Sequence, residues 1–296
     1  MLRAIGTNAV ASVAPRAYVR LTGQTGREER AKSTPAETAR YFERSFKEYF
    51  ERLQVAPHEV SAYLNGKTVL EYGPGDLPGV ALLMVAYGAA RVICVDRFPL
   101  VRFDEFAVAV IRELLAALAD DKRPRAEDAL VDPRQPSLGL RGDRVAYRVA
   151  RNGLSGLVEA CDLAVSRAVL EHVNDLPRTI LDICNALKPG AMTVHKVDLR
   201  SHGLHERTPL DFLTWPATLW SAMYSAKGVP NRLRVDAYRR ALEMTRLEVV
   251  VLAPDQRYSQ HEIDAVRERL PRQFAHLTDE DLSWQSFWLV ARKSGD

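Results

Sequence analysis

Cysteine is scarce in this chain, and long hydrophobic runs are missing. The 296 residues include three cysteines, Cys94, Cys161 and Cys184, and an odd number does not fit the disulfide framework of a small secreted protein. We therefore expect buried, reduced thiols. No apolar run approaches the ~18–20 residues that a membrane-spanning helix needs, so the composition favours a cytoplasmic protein without a membrane span.

Net charge is also small. The 41 Lys and Arg residues nearly balance the 38 Asp and Glu residues, which leaves a formal net charge of +3. This balance is too mild to indicate a nucleic-acid partner, and none is predicted. A chain of this length with 47% hydrophobic residues can bury a full core, and one large domain with additions is expected. The oligomeric state stays open, and a homodimer is compatible with the sequence.

The first 27 residues contain no acidic residue. Such a stretch, with arginines, alanines and small polar residues, is typical of a transit peptide, but we favour an N-terminal arm that precedes a helical cap. The capping box Thr34-Pro35-Ala36-Glu37 predicts the start of a helix. These features predict an arm and cap over residues 1–64 and a main domain over residues 65–296.

The helix predicted after Thr34 carries one apolar stripe at helical spacing. Its members are Phe42, Phe46, Tyr49, Phe50 and Leu53. Packing of this stripe in the core of the domain is the favoured interpretation. The alternative is that the aromatic helix covers a substrate pocket.

The most informative stretch lies at residues 69–79, where an apolar run leads into Glu71 and a Gly73-Pro74-Gly75 turn. Glycines let the backbone approach a ligand, and the free N–H groups of the following helical turn face it. The next predicted strand, residues 91–96, ends in Asp96, about twenty residues after the turn. A carboxylate at that place accepts hydrogen bonds from the two hydroxyls of a ribose.

The third glycine of a nicotinamide or flavin fingerprint is missing, because its position holds Pro78. The motif Glu71-x-Gly73-x-Gly75 instead resembles motif I of the class I S-adenosylmethionine-dependent methyltransferases that act on small molecules. The resemblance continues through Asp96, residues 162–173 and the Leu-Lys-Pro-Gly run at residues 187–190, and it covers roughly residues 65 to 200.

The resemblance implies an α/β fold with a Rossmann-like, doubly wound, seven-stranded sheet. Most strands would be parallel and the last one antiparallel, with an N-terminal helical cap and an insertion after strand five at residues 199–234. Residues 120–144 are charged and rich in proline, which predicts a long surface connection. The implied cofactor is S-adenosyl-L-methionine.

Several residues would then hold the cofactor. The resemblance places Asp96 at the ribose diol and Glu71 at the amino-acid end, directly or through water. Gly73 and Gly75 would leave room for the cofactor, and Pro74 would stiffen the turn.

The adenine and sulfonium ends have further candidates. Arg97 would flank the adenine, and Asn152 stands where the family often has an acid that meets the adenine amino group. Ser166 and Arg167 leave strand four, where the backbone normally passes the sulfonium end.

Candidate catalytic residues follow strands four and five, because open α/β sheets bind ligands at the carboxyl ends of their strands. His172 and His202 are the candidate bases, and Asp198 would orient one of them. Glu171 is the remaining proton acceptor if no histidine serves. Histidines and acids together also suit a metal, but no close spacing along the chain supports one, and no metal is predicted.

The segment at residues 199–234 is rich in aromatic side chains and broken by prolines, which is typical of a pocket wall. The side chains concerned are Phe212, Trp215, Trp220, Met223 and Tyr224. We expect them to surround an acceptor together with the aromatic helix at residues 42–50.

The predicted function is methyl transfer from S-adenosylmethionine to a small or mid-sized acceptor such as a natural product or a sugar. Oxygen is slightly favoured over nitrogen and carbon as the methylated atom, because histidine and acid cluster near the predicted site. A binding module without turnover and, less favoured because of Pro78, a nicotinamide oxidoreductase are the alternatives. Protein and nucleic-acid methylation are disfavoured, because no Asn-Pro-Pro-Tyr motif follows strand four.

Overall fold

A seven-stranded sheet organises the computed structural model, which describes residues 1–23 and 33–295. The strand order is β3-β2-β1-β4-β5-β7-β6. The strands are β1 (Thr68–Tyr72), β2 (Arg91–Asp96), β3 (Val145–Val149), β4 (Cys161–Arg167), β5 (Leu187–Asp198), β6 (Leu247–Arg257) and β7 (Trp284–Lys293). Strand β7 runs antiparallel to both β5 and β6, and the other pairs are parallel. The predicted doubly wound, Rossmann-like sheet with an antiparallel last strand is confirmed.

Helices cover both faces of this sheet. They are α1 (Leu2–Val13), α2 (Pro15–Thr22), α3 (Pro35–Arg52), α4 (Val60–Leu64), α5 (Gly79–Ala86), α6 (Glu105–Ala117), α7 (Arg123–Asp128), α8 (Leu176–Ala186), α9 (Ala217–Tyr224), α10 (Val235–Glu243), α11 (Gln260–Arg267) and α12 (Asp279–Ser283). Short 3₁₀ turns lie at Pro136–Leu138, Leu170–His172, Asp211–Thr214 and Arg272–Phe274. In the part of the chain that the structure describes, no helix is long and apolar enough to span a membrane.

Helix starts agree with the capping chemistry of the sequence. At α3 the Thr34 side chain accepts from the Glu37 N–H, and the Glu37 carboxylate accepts from the Thr34 N–H. This reciprocal pair satisfies backbone donors that a helix cannot satisfy itself. At α8 the Asp175 side chain caps the helix in one direction only, by accepting from the Arg178 N–H.

The interpretation of residues 120–144 as a surface connection is wrong in part. Helix α7 forms there, and Leu130 pairs with Leu140 in an isolated β-bridge. Pro124 and Pro136 lie in the first turns of α7 and the 3₁₀ turn, where proline starts helical structure instead of breaking it. Burial of Ala126 in the core provides the tertiary contact that the charged sequence does not reveal.

The apolar stripe of α3 lies in the core, as the favoured interpretation expected. Phe42, Phe46, Tyr49 and Phe50 are buried together with the helices and strands of the sheet. Phe42 packs over Gly79 at the start of α5, where a Cβ atom would lie 2.4 Å from the ring. The glycine therefore allows α3 and α5 to approach closely.

The N-terminal arm folds back onto the main part of the chain. Asn8 of α1 donates to the Ala222 carbonyl at 3.0 Å and accepts from the Ala226 N–H at 2.8 Å. Tyr18 of α2 packs on Phe98 with 5.8 Å between ring centroids. Residues 24–27 of the acid-free stretch lie outside the described residues, and the division at residue 64 stays a prediction.

We expect Gly79→Ala to lower the free energy of unfolding by about 1–3 kcal/mol, because the added methyl group overpacks the Phe42 ring. Chemical denaturation measures the loss. Gly142→Ala is the matched control, since a Cβ atom there meets nothing within 4 Å. Equal stability of both variants would contradict the packing of α3 on α5.

Candidate active site

One large cavity lies at the carboxyl ends of β1, β2, β4 and β5. Its volume is about 1140 Å³, slightly above the ~300–1,000 Å³ of most ligand pockets. The strand-end loops, the polar edge of α3 and the segment at residues 199–234 line it. The cavity therefore has room for two molecules next to each other.

The glycine turn forms the floor of this cavity. Gly73 and Gly75 have φ angles of 63° and 73°, in the left-handed region that glycine adopts without strain. A Cβ atom on Gly73 would lie 2.4 Å from Cγ2 of Val169, and the Gly73 N–H donates to the Val95 carbonyl at 2.8 Å. Pro74 is buried between the glycines and does not itself line the cavity. Contact with Val169 is thus one steric reason for the glycine.

Asp96 ends β2 and lines the cavity with 8% of its surface exposed. Its Oδ1 accepts from the Phe98 N–H at 2.9 Å. Burial raises the pKa of the carboxyl to about 6, although backbone N–H groups of Phe98, Arg97 and Gly75 oppose the shift. The carboxylate is therefore mostly ionised at neutral pH and can accept further hydrogen bonds.

Glu71 lies behind the turn and not among the cavity-lining residues. Its Oε2 accepts from the Cys94 thiol at 3.5 Å. Burial raises the pKa of this carboxyl to about 7, while hydrogen bonds from Cys94 and the Ala81 backbone lower it. The side chain faces the first turn of α5, so it supports the turn from behind.

Ser166 and Arg167 face opposite sides of β4, as strand alternation requires. The buried Ser166 hydroxyl lies 2.7 Å from Nδ1 of His195, within the sheet. Arg167 lines the cavity, pairs with Glu48 of α3 at 2.5 Å and packs over Trp288. Only Arg167 of the two predicted residues reaches the cavity with its side chain.

Arg97 and Asn152 also line the cavity. The Arg97 guanidinium donates to Oδ1 of Asn174 at 2.9 Å and to the Ala226 carbonyl at 3.2 Å. Asn152 uses its side-chain carbonyl to accept from the Leu154 N–H at 3.1 Å. Arg97 thus connects the end of β2 with the segment after β5, and Asn152 stabilises its own turn.

The two candidate bases come together. His172 ends the 3₁₀ turn after β4, His202 follows β5, and their ring centroids are 5.0 Å apart on the cavity wall. Burial, reinforced by His202, lowers the pKa of His172 to about 4. His202 has a φ of 48°, a conformation that is uncommon outside glycine and concentrates at functional sites.

The carboxyl groups of Asp198 and Glu171 both lie near these histidines, but their pKa values shift in opposite directions. Asp198 lines the cavity and accepts from Nε of Arg200 at 2.8 Å. Burial opposes ionisation of Asp198, but the bonds from Arg200 keep its pKa below the ordinary value. Glu171 is fully buried, and burial raises its pKa well above the ordinary value.

The expectation that the aromatic side chains of residues 199–234 line the cavity is wrong. Phe212, Trp215 and Trp220 pack instead against residues between Tyr258 and Leu282 in a separate cluster. Large rings find apolar partners in the helices after β6, which a pattern along one segment cannot show. The described residues of this segment that do line the cavity are Arg200, His202, Leu204, Gly228, Val229 and Pro230.

Sequence reasoning missed part of the site on α3. Tyr41 and the exposed Arg40 and Arg44 line the cavity, while the aromatic stripe of the same helix is buried. Arg40 and Arg44 are four residues apart, which places them on the same side of the helix. This spacing was the sequence signal for a polar edge of α3 at the cavity. Asn231 was also missed: its side chain donates to the carbonyls of Leu170 and Val173 and holds the His172 turn.

Comparison with known proteins agrees with this geometry. A protein family described as "Methyltransferase domain" matches residues 41–252, which is more than half of the chain. Comparison with the curated proteins finds no match.

Among solved structures, an S-adenosylmethionine-dependent methyltransferase from Mesorhizobium loti is 19% identical. The alignment covers 77% of this chain and 92% of that one, with a TM-score of 0.40. Geranyl diphosphate C-methyltransferase from Streptomyces coelicolor A3(2) is 15% identical, with 79% and 76% covered and a TM-score of 0.43. Such distant likenesses carry no argument about the acceptor. The family match, together with the glycine motif and the sheet order, shows that the chain belongs to the methyltransferase-domain family and is an S-adenosylmethionine-dependent methyltransferase.

Proposed function

We propose that the enzyme methylates a hydroxyl oxygen of a small or mid-sized acceptor that binds beside the cofactor. The observation that carries the proposal is that Asp96 and the histidine pair line one cavity with room for two molecules. A natural product or a sugar is the acceptor class that we favour, and neither a nucleic acid nor a protein is required as a partner.

The order of the strands in the sheet supports placing the cofactor and the acceptor in different parts of this cavity. Strand β2 lies on one side of β1, and β4 and β5 lie on the other. Neighbouring strands are ~4.8 Å apart, so Asp96 and the residues that follow β5 are separated by roughly three such steps. We place the ribose at Asp96 and the adenine beside Arg97 and Asn152, and we place the acceptor above the ends of β4 and β5.

The glycine turn would bring the cofactor's methyl group toward Arg167 and His172. S-adenosylmethionine bound there would supply an activated methyl group, which the acceptor oxygen would take as the carbon–sulfur bond breaks and S-adenosylhomocysteine leaves. Alignment of the two reactants in one cavity provides most of the acceleration. A hydroxyl is a weak nucleophile, so His172 or His202 accepts its proton as the methyl group arrives.

A panel of hydroxyl, amine and carbon acceptors, incubated with enzyme and S-adenosylmethionine, tests the proposal. Mass spectrometry reads the release of S-adenosylhomocysteine and the atom that gains the methyl group. We expect turnover with small hydroxyl compounds. Methylation confined to nitrogen or carbon would reject the oxygen acceptor, and turnover only on macromolecules would reject the acceptor class.

Asp96→Asn is expected to weaken S-adenosylmethionine binding about tenfold to a hundredfold, because a charge-assisted contact to the ribose contributes ~1.5–3 kcal/mol. Acid protonates the Asp96 carboxyl, whose pKa is about 6, so wild-type affinity should fall about tenfold between pH 7 and pH 5. Calorimetry at both pH values measures this. Asp120→Asn, at a fully exposed carboxylate, is the control, and unchanged affinity in Asp96→Asn would refute the assignment.

Tyr41→Ala should raise the KM of the acceptor about twofold to tenfold, which corresponds to ~0.5–1.5 kcal/mol of lost aromatic contact. Binding of the cofactor should stay within twofold, because we place its ribose and adenine at Asp96, Arg97 and Asn152, whereas Tyr41 lies beside Arg167, where the methyl group would meet the acceptor. Steady-state kinetics separate the two effects. Tyr63→Ala is the matched control, since Tyr63 packs on the same core outside the cavity, and an equal rise there would indicate general loosening.

His172→Ala and His202→Ala should each lower turnover of a hydroxyl acceptor about a hundredfold or more, because proton transfer in the transition state contributes 10²–10⁴-fold. Cofactor affinity should be retained. His205→Ala, at an exposed histidine of the same loop, should behave like the wild type. Near-normal turnover in both site variants would favour an amine or carbon acceptor, with Glu171 as the remaining proton acceptor.

A further inference from the structure

Glu171, His172 and His202 form a compact group of potential ligands. One side-chain ligand atom from each lies within 4.8 Å of the other two. Glu171 and His172 come from the 3₁₀ turn after β4, and His202 comes from the loop after the neighbouring strand β5. The group is therefore assembled by strand pairing and is not visible as a ligand spacing along the chain.

Glu171 is the unusual member. Its side chain is 1% exposed, and neither carboxylate oxygen has a hydrogen bond of good geometry among the described residues. Burial raises the pKa of this carboxyl, although the backbone N–H groups of Glu171 and Asp198 and the charge of Arg200 act to lower it. Buried carboxylates without partners are unfavourable and rare. The guanidinium of Arg200 donates to Asp198, and that of Arg234 donates to the Leu199 carbonyl.

His172 has one ring nitrogen that lacks a hydrogen bond of good geometry, although the backbone of Gly228 and Val229 lies close to the ring. Its Nδ1 is buried without a hydrogen-bond partner in the described part of the chain, and its Nε2 lies 3.9 Å from Oε1 of Glu171. The backbone of this turn is nevertheless held firmly, because the Asn231 N–H donates to the Glu171 carbonyl at 2.7 Å. A buried carboxylate and two imidazoles thus lie close together, and the turn that carries two of them is held in place.

We propose that Glu171, His172 and His202 bind a divalent transition-metal ion, with Zn²⁺ favoured, in the wall of the active-site cavity. Two imidazoles and one carboxylate are a donor set of catalytic zinc sites, which keep one position open. Imidazole nitrogen disfavours Mg²⁺ and Ca²⁺, which prefer oxygen ligands. Zinc bonds of ~2.0–2.2 Å place neighbouring ligand atoms about 3.3 Å apart. Because these atoms now lie within 4.8 Å of one another, each side chain would move toward the ion by about an ångström on binding.

The open position faces the cavity, because His172 and His202 line it while Glu171 lies behind them. A catalytic role for the ion rests on the proposed function. In that role the acceptor hydroxyl binds to the ion at the open position and releases its proton to solvent. The oxygen then bonds to the methyl carbon, and the electron pair of the broken carbon–sulfur bond stays on sulfur. The products are a methyl ether, S-adenosylhomocysteine and one proton, and with the ion present the imidazoles serve as ligands in place of a base.

The test uses the full chain after removal of metals with a chelator. Calorimetry with Zn²⁺ and visible absorption with Co²⁺ measure binding in the wild type and in Glu171→Gln, His202→Ala and His205→Ala. We expect one ion per chain in the wild type, at least tenfold weaker binding in the first two variants, and wild-type binding in His205→Ala. Thermal melting and S-adenosylmethionine affinity confirm that each variant is folded.

Failure of the wild type to bind either ion overturns the proposal. Metal affinity equal to that of the wild type in both Glu171→Gln and His202→Ala also overturns it. Turnover of a hydroxyl acceptor by the chelated enzyme at the full rate overturns the catalytic role of the ion and leaves the proposed function standing. Metal bound as expected, without methylation of any hydroxyl acceptor in the panel, refutes the proposed function and leaves the metal site standing.

Discussion

The close passage of the Gly73 backbone under Val169 is the constraint on which the active site depends. A side chain at this position would strike Val169, which follows β4, at 2.4 Å. The Gly73 N–H is bonded to the Val95 carbonyl of β2 at the same time. One residue after β1 therefore sets the distance between the ends of β2 and β4, and with it the distance from Asp96 to the His172 turn.

Charged pairs then hold the cavity walls against each other. Arg167 joins β4 to Glu48 of α3, and Lys196 joins β5 to Asp255 of β6. Partly buried pairs of this kind contribute little net stability, because desolvation offsets their attraction. Their geometric effect is larger, since each pair connects elements that are distant in the chain. Glu171 departs from this pattern, because its buried carboxylate forms no ion pair with Lys or Arg in the described part of the chain, and the charge of Arg200 acts on it only from a greater distance.

Much of the fold and part of the site could be predicted. The strand, glycine turn and acid at Asp96 have local signatures, because a tight turn needs glycine and a ribose needs a carboxylate. The meeting of His172 and His202 also follows from the sequence, once β4 and β5 are taken as neighbours in a parallel sheet. Strand alternation also predicts that the side chains of Ser166 and Arg167 point to opposite faces of β4, so that only one of them can reach the cavity.

Local pattern determined the elements, the helix caps and the cofactor motif, because each depends on residues within a few positions of one another. Tertiary structure alone decided which aromatic rings lie in the hydrophobic core and which line the cavity. Phe42 packs on Gly79 and Trp220 packs near Tyr258, whereas Tyr41 lines the cavity. Tertiary structure also decided that Glu71 faces α5, and that Glu171 joins two histidines on neighbouring strands. The physical reason is that burial and ligand geometry depend on distances across the sheet, which no spacing along the chain records.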